Sequence, residues 1–248
     1  MKRKKNLPKL LNLQYLSVTN KTIAIGEKDF PKLYCDIDDY PDFIALYSER
    51  GLYHKTDKTC VAFMEYDNEW NGRYGLSESI RWDDQEELQR YIERFEGVKY
   101  FASPDPTISN DIHRYEIGHR IGTAREVAIW LTMNTKAITI PLIKYSSSSD
   151  FKYMLDGLED VTVVMFSAKG KMNSGKDHDL LIEAANFTVE KLKNLKAIIV
   201  YSDSIYDKKI LKMFNSALVA GIRVIIPDNT LRTRNMELAK ESGRYERL

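Results

Sequence analysis

The chain has 248 residues, which is enough for one large α/β domain or two small ones with a sizeable core. Its 37 lysine and arginine residues nearly balance 36 aspartate and glutamate residues, so no global charge field points to nucleic acid or to a membrane. No run approaches the ~20 apolar residues of a membrane span, and no signal-peptide core follows the basic residues 2–5, so we expect a cytoplasmic protein without a membrane partner.

The pattern divides the chain into three parts. Residues 1–42 are interpreted as an N-terminal extension that packs on the main domain, residues 43–235 as an α/β domain, and residues 236–248 as a basic C-terminal tail. Within the extension, residues 13–19 have the composition of a strand. Two strands are predicted next, at 43–47 and 60–66, and their polar connector lacks a crossover helix, which favours antiparallel pairing at a sheet edge.

A regular alternation begins near residue 98. Before it, Asp83 or Asp84 is a suitable N-cap for a helix that Gly97 would end. The predicted strands are the short apolar runs at 98–102, 137–142, 161–166, 197–201 and 222–226. The predicted helices between them lie at 111–133, 151–158, 180–192 (capped by Asp177) and 208–219 (opened by Asp207).

This alternation is typical of βα units on a parallel sheet. We predict a mostly parallel sheet of about six βα units, irregular and TIM-barrel-like, because the connectors have similar lengths. The alternative is an open, doubly wound sheet. Pro141 and Pro227 lie at the ends of two predicted strands and do not decide between the two arrangements.

Polar residues follow each predicted strand. Proteins with parallel sheets have their active and binding sites at this carboxyl end of the strands. Asp67, Asp105 and Asp228 are the candidate catalytic carboxylates, and Lys144 and Lys169 follow two further strands. Such a set would hold a divalent cation or perform acid–base chemistry on a phosphorylated substrate. The alternative is structural, because aspartate is also what turns and helix caps require.

The sharpest local pattern is GKMNSGK at residues 170–176, which matches G-x-x-x-x-G-K between a predicted strand and a predicted helix. The next residue is Asp177, where a nucleotide-binding loop needs a hydroxyl for Mg²⁺. A less specific hypothesis is that Lys169, Lys171 or Lys176 binds an anion without a true nucleotide-binding loop. The alternative is an exposed basic loop.

Two residue types give little information on function. Cys35 and Cys60 have no ligand or redox spacing, so we expect buried thiols and no disulfide. The 15 tyrosines are scattered along the chain and form no spaced stacking motif.

Several strand-and-exit segments resemble a bacterial family known as domain of unknown function four-four-one-seven. The segments are CVAFMEYD at 60–67, VKYFASPD at 98–105, MLDGLED at 154–160, IIVYS at 198–202 and IIPDN at 225–229. The similarity covers residues 40–235. The family is commonly met on phages, plasmids and integrated elements, so the resemblance implies an accessory role in a mobile element or in the conflict between phage and host. It supplies no reaction and no functional residue.

Three functions stay open at this point. The first is an accessory protein that binds a phosphate-bearing partner, nucleic acid or nucleotide, at the carboxyl ends of the strands. The second is a metal-assisted hydrolase or transferase acting on a phosphorylated substrate. The third is a protein-binding module, either an inhibitor or an assembly component, whose partner would be a phage or host protein. The sequence does not decide whether the chain is an enzyme, and it leaves the oligomeric state open.

Overall fold

The computed structural model describes residue 18 and residues 22–72, 75–173 and 175–242. Ten strands lie in these ranges: β1 Ala24–Ile25, β2 Phe30–Pro31, β3 Phe43–Leu46, β4 Thr59–Ala62, β5 Tyr100–Ala102, β6 Ile138–Ile140, β7 Val163–Ser167, β8 Ala197–Tyr201, β9 Arg223–Ile225 and β10 Asp228–Asn229.

The α-helices of residues 22–72, 75–173 and 175–242 are numbered in chain order. They are α1 Asp67–Asn71, α2 Leu76–Arg81, α3 Gln85–Arg94, α4 Arg114–Thr135, α5 Phe151–Met154, α6 Lys176–Lys191, α7 Asp207–Met213, α8 Asn215–Val219 and α9 Thr230–Glu241. Short 3₁₀ turns occur at Arg50–Leu52 and Ser148–Asp150.

The strands from β3 onward form two parallel sheets flanked by helices. The first has the order β10-β3-β4-β5-β6 and the second the order β7-β8-β9, and every pairing within them is parallel. The mostly parallel α/β fold is therefore confirmed. The ladders of the described residues do not close into a barrel, so they agree with the open arrangement and not with the barrel-like one.

Two prolines lie where the sheets separate. Proline has no N–H and cannot donate to a ladder. Pro141 directly follows β6, and beyond it the two sheets share a single bridge between Leu142 and Met165. Pro227 separates β9, which pairs with β8, from β10, which pairs with β3. Residues 223–229 thus supply one edge strand to each sheet.

The predicted antiparallel pairing at the start of the domain is wrong. β3 and β4 are parallel, with Phe43 aligned to Thr59 and Leu46 to Ala62. The chain reverses between them through the Arg50–Leu52 turn, so about a dozen residues suffice for a crossover without an α-helix.

Two large apolar clusters hold the sheets and helices together. The first joins both sheets, since it contains Ile44 and Tyr100 as well as Val164 and Ile199. The second packs Phe63 and Phe101, on the other face of the first sheet, against the helices that carry Trp70 and Trp130. Both cysteines are free and buried, as predicted.

The N-terminal strand predicted at 13–19 falls outside the described residues except for Val18, which is helical and buried. The remaining part of the extension includes the antiparallel pair β1–β2 and core residues such as Leu33. At the other end, α9 crosses the boundary predicted at residue 235, and residues 243–248 lie outside the described ranges.

Several predicted helices have different limits in the structure. The helix predicted at 151–158 ends at Met154, and the one predicted at 208–219 is divided into α7 and α8 at Phe214, whose ring packs on Phe166. Asp177 is not the N-cap of α6, because that helix already begins at Lys176 after Gly175. None of the helices in the described ranges combines the length and apolarity of a membrane span.

Candidate functional site

The carboxyl ends of the parallel strands and the helix starts that follow them form one edge of the molecule, which we call the rim. Asp105 follows β5 and Lys144 follows β6, and their side chains form an ion pair there. About a fifth of each side chain remains exposed. The pair exists because β5 and β6 are adjacent parallel strands, which brings residues distant in sequence to the same edge.

Lys171 lies beside this pair, in the loop after β7. Its side chain is half-buried, and its Nζ atom is 5.0 Å from the centroid of the Tyr145 ring. Burial lowers the pKa of Lys171 below its ordinary value of 10.5, and the nearby charge of Lys144 lowers it further, whereas Asp105 and Asp177 act in the opposite direction. The Lys171 ammonium is therefore only partly compensated.

Two buried tyrosine hydroxyls lie at the rim without a hydrogen-bond partner among the described residues. They belong to Tyr145, which follows Lys144, and to Tyr201, the last residue of β8. Burial raises the pKa of both, so both hydroxyls keep their protons at neutral pH. A buried polar group without a partner is costly, and a ligand or an ordered water that bonds to it removes that cost.

The charges that act on the Tyr201 hydroxyl indicate that several strand ends lie near one another. After burial, the groups that raise its pKa are carboxylates from the ends of several strands: Glu49 after β3, Glu65 after β4, Asp105 after β5 and Asp203 after β8. Strand ends from both sheets thus influence one phenol.

We call Asp105, Lys144, Tyr145 and Lys171 the lysine cluster.

Asp67 also lies at the rim, as the first residue of α1, but its partners are structural. Its Oδ1 and Oδ2 atoms are 2.9 and 3.2 Å from the Thr107 N–H, which donates to them, and the Arg120 guanidinium is 3.6 Å from Oδ2. Arg120 also donates to the Thr107 carbonyl at 2.7 Å. Asp67 therefore ties the loop after β5 to the starts of α1 and α4.

Asp228 has different partners from the other two candidate carboxylates. It aligns with Phe43 at the beginning of β3, and its carboxylate is 3.3 Å from Nε of Arg232. Arg232 also pairs with Asp207 at 2.5 Å. Each of the three aspartates thus has a cation of its own, and the described residues contain no group of three or more metal-ligating side chains.

Lys169 and Lys176 flank the loop of the G-x-x-x-x-G-K pattern, and both are exposed. Gly170 and Gly175 have positive φ angles of 74° and 145°, which favour glycine, while Ser174 lies outside the described residues. These two lysines border the lysine cluster without belonging to it. Asp177, in the first turn of α6, is close enough to Lys171 to favour its charged form.

The sequence did not point to the two buried tyrosines. A partial signal existed for Tyr201, because it ends a run of buried β-branched residues, but nothing in the run says that its hydroxyl lacks a partner. Tyr145 gave no signal, since its burial depends on packing against Phe151 and on the Lys171 side chain.

No protein-family model matches the chain, and neither the curated proteins nor the solved structures contain a match to it at the similarity required. The class of protein is therefore given by the fold and the rim alone: an α/β protein with two parallel sheets and a lysine cluster at their carboxyl edge. The family resemblance stays a prediction.

Proposed function

We propose that this protein binds a phosphate-bearing ligand, a nucleotide or a nucleic acid, at the lysine cluster. One observation carries the proposal: Lys171 is half-buried near a second lysine, with its ammonium over the ring of Tyr145, whose buried hydroxyl has no partner among the described residues. A phosphate oxygen would accept hydrogen bonds from the Lys171 ammonium and the Tyr145 hydroxyl. Both are good donors to an anion.

The electrostatics favour an anion over a cation. Lys144 is neutralised by Asp105, but Lys171 has no ion pair among the described residues, and the exposed Lys169 and Lys176 add positive charge nearby that Asp177 offsets in part. Binding an anion would stabilise the charged form of Lys171, which burial and Lys144 disfavour. The metal-assisted alternative has less support, because the three candidate aspartates are paired separately.

The accessory role in a mobile element that the resemblance implies is compatible with this proposal. It stays a prediction, as does the choice between nucleic acid and nucleotide. An inhibitor of a phage or host protein would not require the lysine cluster. Variants of the lysine cluster therefore distinguish that function from phosphate binding.

The direct test is the affinity for a fluorescent adenosine triphosphate derivative in magnesium-free buffer, measured by anisotropy with inorganic pyrophosphate as competitor. Lys171→Met should weaken binding about tenfold or more, because it removes a charge-assisted hydrogen bond from a half-buried site. The matched control is Lys193→Met, the same change of charge at an exposed lysine before β8, on the opposite edge.

Asp105→Asn separates the phosphate and metal hypotheses. It frees Lys144 and removes a carboxylate that repels phosphate, so the proposal expects binding to tighten several-fold. A carboxylate metal site would instead lose affinity for Mg²⁺ or Mn²⁺ in this variant. Absence of nucleotide binding, or an equal response of Lys171→Met and Lys193→Met, would overturn the proposal.

A further inference from the structure

Three tyrosines are exposed at helix starts around the rim. Tyr66 is 83% exposed and caps α1 after β4, Tyr115 is 72% exposed in the first turn of α4 after β5, and Tyr206 is 37% exposed and caps α7 after β8. An exposed aromatic ring offers a face on which an unpaired base can stack. In the sequence these residues are 49 and 91 positions apart, yet the parallel topology brings them to one edge.

The first two tyrosines belong to one connected part of the rim. Asp67, next to Tyr66, is held by the Thr107 N–H and by Arg120, and Arg120 also bonds to Glu116, next to Tyr115, at 2.9 Å. The Tyr115 ring is stacked with His113 at 5.9 Å and an interplanar angle of 14°. The ring pair extends the flat aromatic surface at the start of α4.

The third tyrosine stands among cations. Lys209 Nζ is 4.8 Å from the centroid of the Tyr206 ring, and Lys208 and Lys212 are exposed on the same helix. Lys169 and Lys176 follow β7, the strand next to β8. Sites that bind nucleic acid combine arginine or lysine with an exposed aromatic ring. The cation binds a phosphate and a base stacks on the ring.

The strand order sets these groups in a row. From β4 to β8 the rim presents Tyr66, then Tyr115, then the lysine cluster, then the loop lysines and finally Tyr206, with the Leu142–Met165 bridge joining β6 to β7. Four steps between neighbouring strands, at about 4.8 Å each, give a path of roughly 19 Å. That length suits several nucleotides and exceeds a single mononucleotide.

We propose that the rim binds single-stranded nucleic acid, with phosphates on the lysine cluster and unpaired bases stacked on Tyr66, Tyr115 and Tyr206. This inference rests on the proposed function and names its ligand. Stacking requires bases whose faces are free, so a duplex, in which the bases stack on one another, would use the lysines alone. A mononucleotide would use one ring at most.

The experiment measures the affinity of a fluorescein-labelled (dT)₁₂ oligonucleotide by anisotropy at fixed salt. The double variant Tyr66→Ala/Tyr115→Ala and the single variant Tyr206→Ala should each weaken binding by about fivefold or more, the effect of losing base–aromatic stacking. The corresponding Tyr→Phe variants keep the rings and should bind as the wild type does. Circular dichroism checks that each variant is folded.

Tyr34→Ala is a matched control, because Tyr34 is 64% exposed and also has a lysine over its ring, Lys32 at 5.4 Å. It lies away from the rim: the neighbouring Cys35 carbonyl accepts a hydrogen bond from the N–H of Thr162, just before β7. This variant should leave oligonucleotide affinity unchanged. A 12-base-pair duplex should compete at least fivefold less well than unlabelled (dT)₁₂.

The outcomes separate this inference from the proposed function. If the oligonucleotide binds, Lys171→Met weakens it and the tyrosine variants do not, the stacking inference is overturned and the phosphate site stands. The stacking inference is also overturned, with the phosphate site intact, if the nucleotide derivative binds and the oligonucleotide does not, or if the duplex competes equally well. If neither probe binds, both proposals are overturned.

Discussion

Lys171 has three neighbours that determine its chemistry: the Tyr145 ring, the Lys144–Asp105 pair and Asp177. An isolated lysine in a loop is fully solvated and keeps its ordinary pKa. Here burial and a second positive charge both work against the ammonium form, which is what makes the residue responsive to an anion.

The pH dependence of ligand binding follows from this direction. An anion binds the charged form of Lys171, so affinity should be full below the pKa of Lys171 and should fall as pH rises through it. Because that pKa lies below 10.5, the decline should begin at lower pH than for an ordinary lysine. Affinity for the fluorescent nucleotide derivative, measured from about pH 7 to about pH 10, tests this.

Lys171→Arg is the control for this pH dependence, because arginine stays charged throughout the range. Its affinity should change little over the same interval. An arginine variant that loses affinity in parallel with the wild type would assign the titration to another group.

At the scale of elements, the five strands predicted from residue 98 onward all exist, with limits shifted by up to two residues. Runs of β-branched and aromatic residues identify strands well, because buried parallel strands are apolar on both faces. A helix start was predicted correctly where a side chain caps it, since Asp84 accepts a hydrogen bond from the Glu87 N–H at the start of α3, but other starts were predicted less well. α6 begins at Lys176 after a glycine and α4 begins after His113, in neither case with a side-chain cap that a sequence pattern reveals.

Asp150 provides a stability prediction for the entry of α5. Its buried carboxylate accepts hydrogen bonds from the Ser146 N–H at 2.7 Å, the Ser147 N–H at 3.1 Å and the Tyr153 hydroxyl at 2.5 Å. Asp150→Asn removes the charge and part of these bonds, so the free energy of unfolding in urea should fall by about 1–3 kcal/mol at neutral pH.

The pH dependence of this effect has a definite sign. Burial opposes ionisation of Asp150, but the hydrogen bonds from Tyr153, Ser146 and Ser147 outweigh it and lower its pKa below the ordinary 3.8. The contribution is therefore present in full above that ordinary value and is lost as pH falls through the lower pKa of the folded state. A stability difference between wild type and Asp150→Asn that persisted unchanged well below that value would contradict this assignment.

For the whole molecule, the question is whether two sheets joined by one bridge behave as one unit. The larger apolar cluster contains Ile44 from the first sheet and Ile199 from the second, so loss of either sheet exposes the other. We therefore expect a single cooperative unfolding transition. Trp70 and Trp130 belong to the cluster on the other face of the first sheet, so tryptophan fluorescence chiefly monitors that sheet.

Ile199→Ala tests this cooperativity, because the substitution is in the second sheet and tryptophan fluorescence monitors the first. The cavity in β8 should lower the free energy of unfolding by about 2–5 kcal/mol. The urea midpoints from tryptophan fluorescence and from far-ultraviolet circular dichroism should shift together. A fluorescence midpoint that stayed in place while the circular dichroism midpoint moved would mean that the sheets unfold separately.

The sequence by itself determined the fold class, the succession of most strands and the burial of both free cysteines, because local apolar patterning is written in consecutive residues. It named Asp105, Lys144 and Lys171 as candidates, since polar residues after strands are visible in the chain. It could not determine the parallel pairing of β3 and β4, the break between the sheets or the different cationic partners of Asp67, Asp105 and Asp228. Only the tertiary structure decided those, and with them the burial of Tyr145 and the gathering of Tyr66, Tyr115 and Tyr206 at one edge. The physical reason is that burial, pairing and pKa depend on neighbours supplied by distant segments, which no local pattern specifies.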